Sequence, residues 1–369
     1  MYTVSMKKKT FFIISLFIFV QILFLYNKSR VTIPINTYFC FDDMLTVNNN
    51  TKEIPPVFLK MGIIPVDSYK HADLLFTHNH DQFVQLSKLD HYDKCKYIYG
   101  LRCINLFACK RSLYLTLKQD FPSIIPKTWA LHSTLDMRDL TNQFEISSGK
   151  PIKALILKSN VQRQKGIKFV KDIRDIYDRK SKYVVCQEIL ENPLLIHERK
   201  IDLRIYVLIV CYTNSFKFYI YKDGFIYYTK EKHTPHNVQF ENTISSGYRD
   251  RSVYKDNPLT LDDLYKHLGK HASDTLKINI VKCFTGVKHS YTKTIKRYDI
   301  GDGVNRFVIL GADVCPNDTH DVKLLEINKG PDLRSKDSRD EQLKENLIKH
   351  TLYILKNPNI SNANFIEII

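Results

Sequence analysis

Several motifs that would assign this 369-residue chain to a known chemistry are missing from it. There is no GxxxxGK[ST] phosphate loop and no GxSxG elbow, which counts against P-loop nucleotide hydrolases and α/β-hydrolases. The eight cysteines (40, 95, 103, 109, 186, 211, 283 and 315) form no CxxC pair and have no histidines at zinc-ligand spacing, so they read as small buried hydrophobes. The stretch HNHD (78–81) stands alone and reads as a loop rather than a nuclease site. No zinc-finger, helix-turn-helix or RNP pattern accompanies the basic, aromatic stretch YKDGFIYYTKEKH (221–233), so nucleic acid is not the expected partner. Internal repeats and low-complexity linkers are absent as well.

What is present is a chain able to bury a sizeable core. It is 44% hydrophobic and 12% aromatic, and its length suits two or three subdomains. The net charge of +16 favours an acidic partner: nucleic acid, an anionic membrane surface or an acidic protein. Near the N-terminus, MKKK (6–9) precedes the uncharged apolar run TFFIISLFIFVQILFLY (10–26). No small-x-small cleavage site follows, and about 17 residues barely span a bilayer, so a membrane anchor is expected in preference to a signal peptide. The flanking lysines slightly favour a cytoplasmic N-terminus and a lumenal body. Sequons at Asn27, Asn49, Asn317 and Asn359 permit a lumenal location, and topology stays open.

Along the chain, GIIPVDSYKHADLLFTH (62–78) reads as strand, helix, strand, and KRSLYLTLKQDF (110–121) as a helix ended by Pro122 and Pro126. Strands are expected at KTWAL, ALILKS, KGIKFV and YVVCQEIL. The stretch 200–229 reads as three long antiparallel strands joined by the turns TNS and KDG. TLDDLYKHLG (260–269) has a capping-box start and a glycine stop, and EQLKENLIKHTLYIL (341–355) carries an amphipathic stripe.

Chemistry is concentrated near the C-terminus, in KLLEINKGPDL (323–333). Alternation along a strand puts Glu326 and Asn328 on one face and Leu325 and Ile327 on the other. The preceding run FVILGADV brings Asp313, and a turn at Pro-Asn-Asp (316–318) folds the two strands into a hairpin. Two carboxylates and an amide oxygen suit a hard cation such as Mg²⁺, which keeps substrate phosphates among its other ligands. A solvated face on an edge strand is the competing reading.

The stretch VVCQEILENPLLIHERKIDLRIYVLIV (184–210) resembles the tubulin tyrosine ligase-like family of ATP-grasp ligases, in which Gln, ENPLLI and K-x-D-x-R follow at this spacing. ADLLFT, CKRSLYLTL, PKTWAL, LILKS with KGI, YKDG, FENTIS and LLEINKGPDL follow in family order, so the resemblance covers roughly residues 60–350. It implies an α/β (α+β) ATP-grasp fold of three subdomains whose antiparallel sheets enclose the nucleotide. The expected divisions are 1–30 (anchor or signal segment), 31–125 (α/β), 126–199 (central) and 200–369 (C-terminal, with the metal site).

The same resemblance implies ATP and Mg²⁺ as cofactors and Asp313, Glu326 and Asn328 as metal ligands. Lys158 would reach the phosphates, with Arg163 and Lys165 adding charge beside it. Gln187 and the backbone of Glu188, Ile189 and Leu190 would form the adenine hinge. Lys200 and Asp202 would meet nucleotide, Asn242 would add a polar contact, and Lys200, Arg204 and Glu326 would be the catalytic group. The chain departs from the family in three places. Its phosphate loop SNVQRQKGI (159–167) keeps only Gly166, Tyr227 and Tyr228 stand where many relatives have an arginine, and Glu241 replaces a threonine.

The expected activity is transfer of glutamate onto tubulin C-terminal tails by a polyglutamylase-type member. Glycine or tyrosine transfer is an alternative, as is a catalytically weak, membrane-tethered microtubule-binding protein. A body in the cytoplasm at microtubules fits the acidic partner, whereas a lumenal body would require another acceptor.

Overall fold

The computed structural model describes residues 32–40, 54–76, 95–146, 154–161, 166–179, 181–235, 237–245 and 251–369. The apolar run 10–26, the HNHD cluster, Arg163 and Lys165 lie outside them. Among the described residues no helix is long and apolar enough to cross a membrane.

Four short strands, β1 (Thr37–Cys40), β2 (Ile64–Pro65), β3 (Leu74–Phe76) and β4 (Tyr97–Tyr99), form a parallel unit, with a single turn of helix at Tyr69–His71 between β2 and β3. The strand, helix, strand reading of 62–78 is met. A separate antiparallel sheet follows, made of β5 (Thr128–Ala130), β6 (Leu155–Lys158), β7 (Ile167–Val170) and β8 (Val185–Glu188) in the order β5-β8-β6-β7. It has its own small core of Trp129, Leu140, Leu157 and Ile176.

The remaining strands are β9 (Leu195–Ile196), β10 (Arg199–Tyr212), β11 (Ser215–Tyr228), β12 (Asn305–Pro316), β13 (Val322–Asn328) and β14 (Phe365–Ile368). Strands β14, β11, β10 and β12 run side by side and antiparallel, and β12 pairs in parallel with β4, so the N-terminal unit and the C-terminal half share one sheet. From Ile205 to Cys211, β10 is buried throughout, as expected of a central strand covered on both faces. Its charged residues are confined to one end, where Lys200, Asp202 and Arg204 share one face and Arg199 lies on the other.

The expected third strand in 200–229 does not exist: KDG makes no turn. β11 runs straight through it, and the register steps from Ile205 opposite Gly224 to Val207 opposite Ile220, so four residues on β11 are spanned by two on β10. Turn-forming residues here serve a bulge. A Cβ at Gly224 would stand 2.1 Å from the Arg204 carbonyl oxygen, so glycine permits the strands' close approach.

The helices at Lys110–Asp120 and Leu261–Leu268 match expectation, the latter with a full Thr260–Asp263 capping box, and the closing helix spans Ser338–Lys356. Residues 270–299, for which no motif gave an expectation, form a 30-residue helix, Lys270–Asp299. Leu276, Ile280, Phe284, Val287, Tyr291 and Ile295 are buried on one side of it against the large core.

Candidate active site

A cleft of about 480 Å³ opens where the small sheet faces the polar end of β10. β6 and β8 contribute Lys158 and Gln187, and the chain leaving β8 adds Glu188, Ile189 and Leu190. β10 supplies Lys200, Asp202 and Arg204, β12 supplies Asp313, and β13 supplies Glu326 and Asn328. These eleven expected site residues border one cavity. Asn242 does not line it. Its amide caps the short helix Phe240–Thr243, accepting from the Gln239 N–H at 2.9 Å and donating to the Asn237 carbonyl at 2.7 Å, and its neighbours Thr243, Ile244 and Ser245 face the cleft.

The β12–β13 hairpin forms as expected, with Asp313 directly opposite Glu326 and Gly311 opposite Asn328. Its turn is organised by the Asn317 side chain, whose oxygen accepts from the N–H groups of Thr319 (3.1 Å) and Asp321 (2.7 Å). Asn328 donates to Glu326 Oε1 at 3.1 Å. Burial and the neighbouring Glu326 push the Asp313 carboxyl up to about 7 against the pull of Arg204. Burial also works to raise Glu326, but Lys110 and Lys158 outweigh it and hold this carboxyl below its usual range.

Arg204 grips Asp313 through two hydrogen bonds, Nε to Oδ1 at 2.7 Å and Nη2 to Oδ2 at 3.1 Å, and its guanidinium lies 5.3 Å from the centre of the Tyr227 ring. Gly311 makes room for it: a Cβ there would stand 2.7 Å from an Arg204 terminal nitrogen. Lys200 and Asp202 form a buried pair at 2.5 Å, and Ser245 donates to the other Asp202 oxygen at 2.6 Å. Burial disfavours the Lys200 charge, yet Asp202 more than offsets it and raises the Lys200 pKa.

Lys158 donates to Gln187 Oε1 at 2.6 Å, and Gln187 in turn donates to Thr128 Oγ1 at 2.8 Å. The Gln187 side chain is therefore committed to positioning Lys158. Burial lowers the Lys158 pKa to about 8, because the Coulombic support of Glu326 is opposed by Lys110 and Lys200. Gly166 sits at the neck of the loop that follows β6. Its φ is +73°, a Cβ would stand 1.8 Å from Ser159 Oγ, and its carbonyl accepts from the Ser159 N–H at 2.9 Å. Among the described residues nothing hydrogen-bonds the buried Ser159 hydroxyl, which borders the cleft.

Some site residues escaped the sequence reading. Lys110 opens the helix Lys110–Asp120 and reaches Glu326 Oε2 at 3.2 Å and the Val161 carbonyl at 3.3 Å, tying the metal-ligand candidate to the phosphate-loop candidate. A cation in the first turn opposes the helix dipole, and that local misfit was the available signal. Arg334, Lys336, Asp340 and Lys344 also line the cleft, and no strand or motif periodicity marked them.

The donor sets fit the groups that ATP and Mg²⁺ would bring. Two carboxylates on adjacent strands repel one another less with a divalent cation between them, to which the Asn328 amide oxygen adds a neutral donor, and cations around a cleft bordered by an unsatisfied buried hydroxyl suit phosphate oxygens.

Comparison with known proteins agrees with the motifs. A sequence model described as the tubulin-tyrosine ligase family matches residues 82–363. The chain is 25% identical over 291 residues to a tubulin polyglutamylase of Danio rerio, covering 72% of this chain and 36% of the relative. It is 25% identical over 317 residues to a probable beta-tubulin polyglutamylase of Tetrahymena thermophila, covering 77% and 26% respectively. A probable tubulin polyglutamylase of Rattus norvegicus is 30% identical over 181 residues, covering 46% and 38%. The chain thus spans well under half the length of each of these relatives.

Proposed function

The chain belongs to the tubulin-tyrosine ligase family, and from that premise we propose that it is an ATP- and Mg²⁺-dependent ligase joining free glutamate to glutamate side chains of tubulin C-terminal tails. The observation that carries the proposal is the gathering of Lys158, Lys110, Lys200 and Arg204 around one cleft together with Glu326, Asp202 and Asp313. A triphosphate needs such a set of cations, and an acyl transfer needs carboxylates able to hold the metal among them. The names of the relatives favour glutamate as the amino acid.

In this reading an acceptor carboxylate oxygen attacks the terminal phosphorus, ADP leaves, and the resulting acyl phosphate is opened by the amine of free glutamate with release of phosphate. Lys158, held by Gln187, and Lys110 orient the phosphates. Arg204, fixed in plane by Asp313 and Tyr227, faces the developing charge with a fork geometry a lysine would not provide. Asp313, Glu326 and Asn328 would hold Mg²⁺, which supplies charge neutralisation at the phosphates when bound.

The +16 charge favours encounter with acidic tubulin tails. The run 10–26 is proposed as a membrane anchor, with the body at microtubules. The test is release of ADP by purified protein: it should require glutamate and microtubules together. Release with neither present would point to a simple ATPase.

A further inference from the structure

Resting on the nucleotide part of the ligase reading, we infer that Thr128, which lies outside the cleft wall, is a positioning residue that aims Lys158 at the phosphates by acting through Gln187. The sheet register puts the three residues together. β8 runs between β5 and β6, with Gln187 directly opposite Thr128 on one side and Ile156 on the other. Lys158 follows Ile156 by two residues, so its side chain leaves the same face of the sheet as those of Gln187 and Thr128 and stands diagonally across from Gln187. Gln187 and Lys158 border the cleft, and Thr128 does not.

Hydrogen bonds run through the three side chains in one sense. The Pro126 carbonyl can only accept, so it takes the single hydroxyl proton of Thr128, at 2.8 Å. Thr128 Oγ1 is left to accept, and Gln187 Nε2 donates to it at 2.8 Å. That turns Gln187 Oε1 toward Lys158, whose ammonium donates to it at 2.6 Å. Reversing the amide would draw the Thr128 proton away from the Pro126 carbonyl and set an N–H against the Lys158 ammonium. Thr128 and Gln187 are both buried, so water does not compensate for that mismatch. The fixed acceptor matters because Lys110 and Lys200 repel the Lys158 charge, and a flexible four-carbon side chain under that push needs something to hold it. A neutral oxygen holds the ammonium without cancelling its charge, as a paired carboxylate would. With its nitrogen on Thr128 and its oxygen on Lys158, Gln187 serves the phosphates of a nucleotide and not its base.

The test is calorimetric titration of the full chain with ATP, GTP and inorganic tripolyphosphate, each with Mg²⁺, in the native protein, Thr128→Val, Thr128→Ser and Gln187→Leu, with the fold of each checked by a thermal melt. Thr128→Val removes the hydroxyl at nearly constant shape, and losing that hydrogen bond should weaken all three ligands about three- to tenfold. Thr128→Ser keeps the hydroxyl and should bind as the native chain does. Gln187→Leu should lower ATP and GTP affinity by the same factor, and it carries the test if Thr128→Val does not fold. In a Lys158→Met background, Thr128→Val should change binding by less than about twofold, because a residue acting through Lys158 has nothing left to position. A full additive loss in that background would overturn the inference, as would unchanged affinity in Thr128→Val or a loss confined to ATP in Gln187→Leu. Tripolyphosphate binding that Thr128→Val weakens, in a native chain that incorporates no amino acid into microtubules, would support the positioning role and defeat the ligase reading. A native chain that binds none of the three ligands would overturn both.

Discussion

Replacing Glu326 with Gln keeps the shape of β13 and removes one negative charge from between Lys110 and Lys158. At the 3.2 Å separation of Lys110 and Glu326, an effective dielectric near 20 gives an attraction of about 5 kcal/mol before desolvation is subtracted. The Glu326 side chain is 30% exposed and that of Lys110 13%, so solvent screening leaves a net cost to folding of about 1–2 kcal/mol. That is a fall in Tm of a few degrees for a chain of this size. The loss in turnover should be larger, about 3 kcal/mol or roughly a hundredfold, because the charge faces the metal and phosphates in the transition state. Lys158 also loses one of the two carboxylates that raise its pKa, so an alkaline limb set by Lys158, whose ammonium stands at about 8, should move to lower pH. The assays are a thermal melt, single-substrate kinetics and a pH profile on the same preparations. Turnover within twofold of native, with an unmoved alkaline limb, would mean that Glu326 is a surface polar group on an edge strand.

Other outcomes follow from the same geometry. Mg²⁺ must bind an ionised Asp313, whose carboxyl stands at about 7 in the free protein, so Mg²⁺ affinity measured by calorimetry should fall about tenfold per pH unit below that value and level off above it; a flat response from pH 5 to 8 would remove Asp313 from the ligand set. Gly311→Ala puts a methyl group 2.7 Å from the Arg204 guanidinium and should lower turnover at least about tenfold while the Tm falls only a few degrees; normal turnover would show that the Arg204 position is not needed. Gly166→Ala, strained by its positive φ and by contact with Ser159, should weaken nucleotide binding and cost about 1–2 kcal/mol of stability; unchanged ATP affinity would detach the loop neck from the phosphate site. Deleting residues 1–30 should move the protein from the membrane fraction to the supernatant, and an already soluble full chain would remove the anchor.

The legible parts of this molecule are those in which neighbours in sequence fix the geometry. Glu326 and Asn328 share a face because strand alternation requires it, and the Asn317 turn sets Asp313 opposite Glu326. The KDG stretch misled because glycine and aspartate serve a bulge as readily as a turn, and only the close approach of Arg204's carbonyl decides between them. The helix at 270–299 escaped notice because its many surface lysines dilute a buried stripe that only the large core makes evident. Lys110 owes its position to a long-range contact with Glu326, which no local pattern encodes, whereas Lys336 is held by Asp340, four residues further on. Asn242 was drawn into the expected site by its motif, although its side chain is consumed in capping a helix.

The most direct test of the central claim is incorporation of labelled glutamate into microtubules by purified residues 31–369 with ATP and Mg²⁺, run beside tubulin whose C-terminal tails have been removed and with labelled glycine and tyrosine as competitors. Glutamate should enter intact microtubules in preference to both competitors, should not enter tail-less tubulin, and should enter less as salt rises, since exposed charges are screened over about 8–10 Å near physiological ionic strength. Preferential incorporation of glycine or tyrosine would contradict the polyglutamylase assignment, and salt-sensitive microtubule binding with no amino acid incorporated would contradict the ligase activity itself.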